Sequence, residues 1–357
     1  MLTQIFMNKI KIGGKTVGYG EPCFIIAEAG VNHNGELEKA LKLIDIAADS
    51  GADAVKFQTF RAEQVVTESG EMAEYQKKNL GHEKSQREML RELELNEEFY
   101  PALMKRAKEK NIIFFSTPHG GKASVDFLES VGVPLYKVGS GDLTNYLLLR
   151  RVAQTGKPVI LSSGMATMEE VKAAIAFIRK EGAKDVMMLH CTTNYPCPPE
   201  EANLNAMVTM MHELDAIVGY SDHSEGPEGA MAAAAFGAAV YERHFTVDKF
   251  LPGPDHIASD SPEEFAAKVA AMRRVALMLG SAVKAPVASE MASMKGAVRR
   301  SIVAARDLPA GQVIKEEDLE AKRPGGGISP AEFEKLLGKK LKRAVKADEM
   351  LSLGDVE

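Results

Sequence analysis

Short runs of β-branched and aromatic residues alternate along most of this chain with longer amphipathic segments. The segments between the runs have helical periodicity, and one of them, which starts at Leu37, ends at Gly51 as a helix would. Such alternation is typical of strand–helix units around a parallel sheet. The apolar runs start at Phe24, Ala54, Ile112, Leu135, Pro158, Val186, Ala216 and Val240. Eight units within roughly 260 residues predict a TIM (β/α)8 barrel, and an open doubly wound sheet is the alternative.

The pattern changes after Gly280, where small residues and Pro286 replace the regular alternation. This composition predicts a linker over residues 281–297. The following 298–357 segment contains two short β-like runs, RSIVAARD and KRAVKADE, and predicts a small β-rich domain. The barrel is therefore expected over residues 1–280. The glycine-rich GGKTVGYG near the N-terminus is interpreted as a hairpin turn, because no strand precedes it and no helix follows it.

The composition and charge of the chain exclude some classes of binding partner. The 357 residues are 45% hydrophobic and 26% charged, and the net charge of −6 argues against nucleic acid or an anionic membrane as partner. The three cysteines, Cys23, Cys191 and Cys197, have no disulfide or zinc-finger spacing. No signal peptide or membrane-spanning segment is apparent. We therefore expect a cytoplasmic protein that acts on a small molecule.

Polar residues cluster where the predicted strands end. In a TIM barrel the carboxyl ends of all eight strands meet at one mouth, and this mouth holds the active site. The polar residues at these ends are Glu28, Lys56, Gln58, Thr117, Lys137, Ser140, Ser162, Ser163, Thr193, Asn194, Tyr195, Ser221, Asp222, His223, Glu242, Arg243 and His244. Nearly every strand contributes, so the sequence predicts one composite site.

Two lysines and several hydroxyls within this set predict an anion pocket. Lysine supplies a point charge and hydroxyls supply directed hydrogen bonds, a combination that suits a phosphorylated carboxylic acid. Taken alone, Lys56 or Lys137 is equally well explained as half of a structural ion pair with a neighbouring glutamate. Glu28 can then be either an acid–base group or the partner of such a lysine.

His223 and His244 end adjacent predicted strands and can approach one cation from the same side. Two imidazoles with open positions suit Mn²⁺, Mg²⁺, Co²⁺ or Zn²⁺ acting as a Lewis acid on a carbonyl group. The alternative is that both histidines cap strand ends by hydrogen bonds. Glu242 and Arg243 are expected to form supporting pairs around the mouth.

Several segments resemble the sialic acid synthase family over almost the whole chain. They are IAEAGVNHNG, VKFQT, FFSTP, YKVGSGD, GYSDH and ERHFT with PGPDH, and RRSIVAARDLPAGQVI with KRPGGG resembles an antifreeze-like (SAF) domain. The resemblance implies a TIM barrel followed by a SAF domain. It also implies metal-dependent condensation of phosphoenolpyruvate with an N-acylated hexosamine, in which Mn²⁺ is the favoured ion.

The resemblance also implies roles for individual residues. Glu28 and Asp255 are expected to be catalytic, and His223 and His244 are expected to bind the metal. Residues expected to bind phosphoenolpyruvate are Lys56, Thr117, Lys137, Ser140, Ser162 and Ser221. Gln58, Tyr195, Asp255 and Arg323 are expected to contact the sugar. In this family the SAF arginine reaches the partner subunit's site, which implies a domain-swapped homodimer.

Two departures from the family pattern leave questions open. Some members carry Asn directly after HCT, where this chain has Thr193 followed by Asn194, and Asp142 stands where some members have Glu. Either residue of the first pair can supply the polar contact. The acylated sugar is also open, with N-acetylmannosamine, a diacetamido-trideoxyhexose and a pseudaminic acid precursor as candidates.

Two other functions compete with this interpretation. A Schiff-base aldolase would use Lys137 or Lys56 as a nucleophile on pyruvate and would need neither metal nor phosphoenolpyruvate. A non-catalytic carbohydrate-binding protein would use the barrel as a scaffold, but it would not need converging lysines and histidines.

Overall fold

The computed structural model describes residues 9–74, 76–77 and 85–357. Residues 1–8 belong to the N-terminal stretch in which the sequence predicts no signal peptide, and they lie outside the described residues. The chain divides into two compact units, Met1–Gly280 and Ser281–Glu357. No helix of the described ranges is long and apolar enough to cross a membrane.

A short antiparallel hairpin comes first in the described chain. It consists of β1 (Lys9–Ile12) and β2 (Lys15–Gly18), joined through Gly13 and Gly14. These glycines have φ angles of 52° and 86°, which residues with a side chain rarely adopt. The interpretation of GGKTVGYG as a hairpin turn is confirmed, but the expectation that no strand precedes it is wrong, because β1 does.

Eight parallel strands form the sheet of the first unit. They are β3 (Phe24–Gly30), β4 (Ala54–Thr59), β5 (Ile113–Pro118), β6 (Tyr136–Val138), β7 (Val159–Ser162), β8 (Val186–Cys191), β9 (Ile217–Asp222) and β10 (Val240–His244). Hydrogen-bonded neighbours run in the order β5-β4-β3-β10-β9-β8-β7-β6. The two end strands, β5 and β6, contact each other, so the sheet closes into a barrel. The prediction of a (β/α)8 barrel is confirmed.

Helices connect the strands and pack outside the barrel. The described ones are α1 (Leu37–Asp49), α2 (Ala62–Val65), α3 (Gln86–Glu92), α4 (Tyr100–Glu109), α5 (Gly121–Val131), α6 (Tyr146–Ala153), α7 (Met168–Lys180), α8 (Leu204–Glu213), α9 (Glu228–Ala235) and α10 (Pro262–Leu279). Capping residues mark the ends of several of these helices. Thr167 and Glu170 form a capping box at the start of α7, and α5 ends at Gly132, whose φ is 79°.

Every residue of β3, β8, β9 and β10 is buried. Their first residues are mostly apolar and belong to the main hydrophobic core. The polar residues lie towards the carboxyl ends. Buried polar groups are costly unless they are paired, so these side chains are expected to contact one another at the mouth.

Gly219 in β9 has no room for a side chain. A Cβ atom at this position would lie 2.1 Å from the carbonyl oxygen of Val240 and 2.9 Å from Cδ2 of Leu189. We expect Gly219→Ala to lower the free energy of unfolding by about 2 kcal/mol, because β10 would have to move. Chemical denaturation measures the change. Gly141→Ala is the control, since a Cβ there meets nothing within 4 Å, and equal stability of the two variants would contradict the prediction.

The second unit has a small core of its own. Helices α11 (Ala288–Ser293) and α12 (Lys295–Val298) precede two antiparallel strands, β11 (Ser301–Ala304) and β12 (Leu319–Lys322). Its buried apolar residues include Ile302, Leu308, Ile314, Leu336 and Leu341. The prediction of a small β-rich module after the barrel is confirmed.

One element of the second unit was predicted wrongly. The KRAVKADE segment was predicted as a short strand, but it forms no regular strand. Val345 makes an isolated bridge to Leu308, and the backbone of Asp348 and Glu349 hydrogen-bonds to Ala304 of β11, whose regular partner is β12. Pairing between short strands depends on distant contacts, which local β propensity does not encode.

Candidate active site at the carboxyl ends of the barrel strands

Four charged side chains form a buried cluster inside the mouth of the barrel. Glu28, Lys56, Lys137 and Glu242 are each at most 4% exposed. The Lys56 ammonium lies 2.9 Å from Oε2 of Glu28 and 3.5 Å from Oε2 of Glu242. The Lys137 ammonium lies 3.6 Å from Oε1 of Glu242. Glu242 thus bridges the two lysines, and we call these four residues the charge cluster.

Strand register brings the cluster together. Glu28 on β3 is directly opposite Lys56 on β4, and it is also opposite His244 on β10. Glu242 is opposite Ser221 on β9 and accepts a hydrogen bond from its hydroxyl at 3.0 Å. Alternate residues of a strand face the same side, so Glu242 and His244 both point into the mouth.

Burial and neighbouring charges shift the pKa values of Glu28 and Glu242 in opposite directions. Burial raises the pKa of Glu28 above its ordinary value, although the Lys56 ammonium opposes this. Burial also tends to raise the pKa of Glu242, but Lys137 and Lys56 bring it below the ordinary value. The lysines therefore favour the ionised form of Glu242, while Glu28 holds a proton more readily than an ordinary glutamate.

The pKa values of Lys56 and Lys137 also shift in opposite directions. Burial alone would lower the pKa of Lys56, but Glu242 and Glu28 raise it above its ordinary value. Burial lowers the pKa of Lys137, and the attraction of Glu242 does not fully compensate. Each ammonium also has a hydroxyl neighbour: Lys56 donates to Thr117 at 3.0 Å and Lys137 donates to Ser162 at 2.6 Å.

Ser140, Gly164 and Thr193 form a second polar corner. The Ser140 hydroxyl accepts a hydrogen bond from the Gly164 amide at 3.0 Å. A Cβ on Gly164 would lie 1.9 Å from Oγ1 of Thr193, so glycine allows this close approach. The Thr193 hydroxyl is buried and has no hydrogen-bond partner among the described residues. Asn194, in contrast, is exposed and donates to Glu201 at 2.5 Å, away from this corner.

His223 and His244 face each other beside the charge cluster, with ring centroids 5.5 Å apart. The ring of Tyr195 covers both, at 4.0 Å from His223 and 5.6 Å from His244. Nδ1 of His223 donates to the carbonyl oxygen of Thr192 at 2.8 Å, so in the neutral ring Nε2 carries the lone pair. Burial tends to lower the pKa of His223, but Cys191 and the Thr192 carbonyl raise it above its ordinary value.

His244 is neutral and has an unused nitrogen. Burial, with the neighbouring His223 and Lys56, lowers its pKa well below the ordinary value. Its Nδ1 atom is buried and has no hydrogen-bond partner in the described part of the chain. A Cβ on Gly30 would lie 3.4 Å from this atom and 3.5 Å from both Nε2 of Gln58 and Oε1 of Glu28. The imidazole, amide and carboxylate thus surround one small space.

These two imidazoles fit a divalent cation. Their ring centroids are 5.5 Å apart, and a ligating histidine is commonly held by a carbonyl partner such as Thr192. Within residues 9–74, 76–77 and 85–357, no group of three or more His, Cys, Asp or Glu is arranged to hold a metal ion. A cation would therefore need water or substrate oxygens to complete its coordination.

Asp255 lies in the loop after β10, and the NHN segment of residues 32–34 holds this loop. Asn34 donates to the carbonyl oxygen of Pro252 at 2.9 Å, and Asn32 donates to Ser259 at 2.9 Å. The Ser259 hydroxyl in turn donates to the carbonyl oxygen of Asp255 at 2.7 Å. Burial raises the pKa of Asp255 to about 6, so this carboxyl group can exchange a proton near neutral pH.

One position differs from the sequence-based expectations. Glu242 was expected to form a supporting pair at the mouth, and it does so at the centre of the charge cluster. Arg243 does not pair at the mouth, since its guanidinium points to the outside of the barrel and binds Asp260 at 2.8 Å. The period-2 alternation of a strand was the signal that separates these neighbours. Arg323 directly follows β12 in the second unit, and its role remains a prediction.

Comparisons with known proteins agree with this arrangement. The NeuB family model matches residues 43–284, and the SAF domain model matches residues 299–357. N,N'-diacetyllegionaminic acid synthase of Campylobacter jejuni is 43% identical over 329 residues, which cover 92% of this chain and 98% of the relative. The protein of the same name from Legionella pneumophila is 44% identical over 352 residues, which cover 97% and 98%.

A solved structure of a sialic acid synthetase is also similar to this chain. N-acetylneuraminic acid synthetase from Leptospira borgpetersenii, in complex with citrate, has a TM-score of 0.72 and 36% identity, and the match covers 80% of this chain and 95% of that one. The predicted resemblance to sialic acid synthases, and with it the prediction of an enzyme of that class, is confirmed. The chain therefore belongs to the NeuB family, and a SAF domain follows its barrel along the sequence.

Proposed function

We propose that this protein condenses phosphoenolpyruvate with an N-acylated amino sugar and water to give a nine-carbon 2-keto acid and phosphate. The observation that carries the proposal is the charge cluster beside the paired imidazoles of His223 and His244. It combines two ammonium groups for an anionic enol phosphate with an acid–base carboxylate and a place for a Lewis acid.

The ammonium–hydroxyl pairs are the proposed binding groups for phosphoenolpyruvate. Lys56 with Thr117 and Lys137 with Ser162 each offer a positive charge and a hydroxyl on one side of the mouth. The hydroxyl of Thr193, which has no partner in the described part of the chain and lies close to Ser140, adds a further donor. Glu242 lies beside both lysines, raises the pKa of Lys56 and holds the two amino groups in position.

Carbon–carbon bond formation joins C3 of phosphoenolpyruvate to the aldehyde carbon of the sugar. Positive charge then develops at C2, water adds there, and the C–O bond to phosphate breaks, which leaves the keto group. Glu28 is the proposed group that takes the proton from the added water, because burial raises its pKa. Asp255, with a pKa of about 6, is the proposed donor of a proton to the new alkoxide.

His223 and His244 are the proposed ligands of a divalent cation, with Mn²⁺ as the ion that family membership favours. When bound, the cation would polarise the aldehyde carbonyl as a Lewis acid. Gln58 and Glu28, which border the same space above Gly30, would hold the aldehyde end of the sugar beside it. Tyr195 packs over both imidazoles and would exclude water from them.

The names of the similar proteins support one sugar over the others. Relatives at 43% and 44% identity are named N,N'-diacetyllegionaminic acid synthase. We therefore propose a diacetamido-trideoxyhexose as the substrate, in preference to N-acetylmannosamine or a pseudaminic acid precursor.

A phosphate-release assay with the three sugars tests this proposal. Metal-depleted protein receives phosphoenolpyruvate, one sugar and Mn²⁺, Mg²⁺, Co²⁺ or Zn²⁺. We expect kcat/KM to be at least about 10-fold higher for the diacetamido sugar, because a substituent that makes one good contact discriminates by that factor or more. No phosphate release with any sugar and metal would refute the proposed reaction. A preference for another sugar would refute only the substrate assignment.

A Schiff-base aldolase remains the second candidate because burial lowers the pKa of Lys137. A lysine with a lowered pKa is the nucleophile that such enzymes need. Borohydride trapping with pyruvate separates the two functions. The proposed synthase is expected to remain unmodified, and a covalent adduct on Lys137 would favour the aldolase.

We also propose that the active protein is a homodimer in which Arg323 serves the partner's barrel, an assignment that rests on family membership. Complementation tests it. Glu28→Gln and Arg323→Ala proteins are each expected to be poorly active, whereas dimers reassembled from a mixture of both should regain activity, because one barrel then has both groups intact. About a quarter of wild-type activity is expected if chains mix at random. Activity no higher than that of the separate variants would contradict the proposal.

A further inference from the structure

A second cavity lies on the outside of the barrel, within the first unit. Its volume is about 610 Å³, within the usual range for small-molecule sites. Side chains of α9, α10 and the loop after β10 line it, and Met231, Ile257, Ala258 and Ala267 supply an apolar wall. It is distinct from the mouth of the barrel, because Arg243, which contributes to its lining, points away from the mouth.

Three buried charged residues contribute to the lining of this cavity. Arg243, Asp260 and Lys268 are 2%, 3% and 3% exposed. Arg243 binds Oδ1 of Asp260 through Nε at 3.0 Å and through a terminal nitrogen at 2.8 Å. The Lys268 ammonium binds the same oxygen at 2.9 Å. Two positive charges therefore share one carboxylate, and the trio has a net charge of +1.

The hydrogen bonds of the trio are unevenly distributed. Oδ1 of Asp260 receives all the bonds just described, whereas its Oδ2 is buried and has no hydrogen-bond partner among the described residues. In the same part of the chain, Lys268 uses only one of its three donors. A buried acceptor and buried ammonium donors thus remain available side by side, which is costly unless something binds them.

At the rim, Lys249 and Glu264 form an ion pair with each other at 3.1 Å, and Glu225 is exposed to solvent. Beneath the trio, the buried carboxylate of Asp222 acts on both Arg243 and Lys268, so the buried charges balance. The unused hydrogen-bonding groups of Lys268 and Asp260, and not a net charge, are therefore what an occupant of the cavity would meet.

We propose that this cavity binds a small hydroxy acid with an apolar substituent. Its carboxylate would accept hydrogen bonds from the free donors of Lys268, and its hydroxyl would donate to Oδ2 of Asp260. The apolar substituent would pack against Met231 and Ile257. This binding site is independent of the proposed reaction at the mouth.

Calorimetric titration of the full chain with mandelate tests the site. Mandelate carries a carboxylate, a hydroxyl and a phenyl ring, and we expect one molecule to bind per chain. Phenylacetate lacks the hydroxyl and mandelamide lacks the charge, so each is expected to bind at least about 10-fold more weakly. Failure of mandelate to bind saturably, or equal affinity for all three compounds, would overturn the proposal.

Variants locate the bound mandelate. Lys268→Met removes the donors, and Ala267→Phe fills the cavity while leaving the charged trio intact. Either change is expected to weaken mandelate binding by about 10-fold or more. Lys249→Met at the rim and Lys137→Met in the charge cluster should leave it unchanged. Binding that survives Ala267→Phe, or that disappears in Lys137→Met, would place mandelate elsewhere and overturn the proposal, even if Lys268→Met does not fold.

Discussion

Glu28→Gln is expected to lower turnover by a factor of about 100 to 10,000, the usual contribution of a general acid–base group. Glutamine keeps the shape of the side chain but cannot take up the proton of the attacking water. The hydrogen bond from Gln58 and the contact with Lys56 can persist in altered form, and Lys56 retains Glu242 as a neighbour. The loss should therefore appear in kcat, measured by phosphate release.

Two further measurements separate catalysis from structure in this variant. The affinity for phosphoenolpyruvate should change little, because Lys137 and Ser162 are untouched. Glu129→Gln is the matched control, since Glu129 also accepts a hydrogen bond, at 2.7 Å from Tyr136, but belongs to α5 outside the barrel. Wild-type turnover by Glu28→Gln with metal binding intact would remove Glu28 from the mechanism.

His223→Ala and His244→Ala are each expected to weaken Mn²⁺ binding by more than about 100-fold and to abolish metal-dependent turnover. The reason is that each substitution removes one of the two imidazoles, His223 and His244, that are the proposed metal ligands. Electron paramagnetic resonance of free Mn²⁺ measures the affinity independently of activity. Circular dichroism should be unchanged, because these side chains lie at strand ends and not in the apolar core.

The control for these variants is His212→Ala. His212 is an exposed residue of α8, so its replacement should leave both Mn²⁺ affinity and turnover unchanged. Full activity of wild-type protein in excess chelator would contradict the assignment of His223 and His244. Unchanged Mn²⁺ affinity in both alanine variants would do so as well.

The barrel could be predicted from the sequence because its strands are short apolar runs bounded by clear helix signals. Polar residues at the ends of those runs also indicated where the mouth would be. Lys56, Thr117, Lys137 and Ser162 indeed contact one another or the same glutamate. Convergence of this kind follows from the parallel topology alone, so it needs no knowledge of loop conformation.

The remaining features depend on contacts that the sequence does not encode locally. Thr193 and Asn194 are adjacent and similar in polarity, and only the path of the loop after β8 turns Thr193 towards Gly164 and Asn194 towards Glu201. Likewise, the central place of Glu242 depends on Lys56 and Lys137 approaching it from other strands. The outer cavity is a property of how α9 and α10 pack, and periodicity gives no sign of it.

The alternation along β10 constrains which changes this gene can tolerate. The side chains of Glu242 and His244 point to the inside of the barrel, and the side chain of Arg243 between them points to the outside. Deleting or inserting one codon just before them would exchange these faces and put a guanidinium among the ammonium groups. Length changes should therefore be absent from Val240–His244 in functional descendants of this chain, while the loop beyond it remains open to insertion.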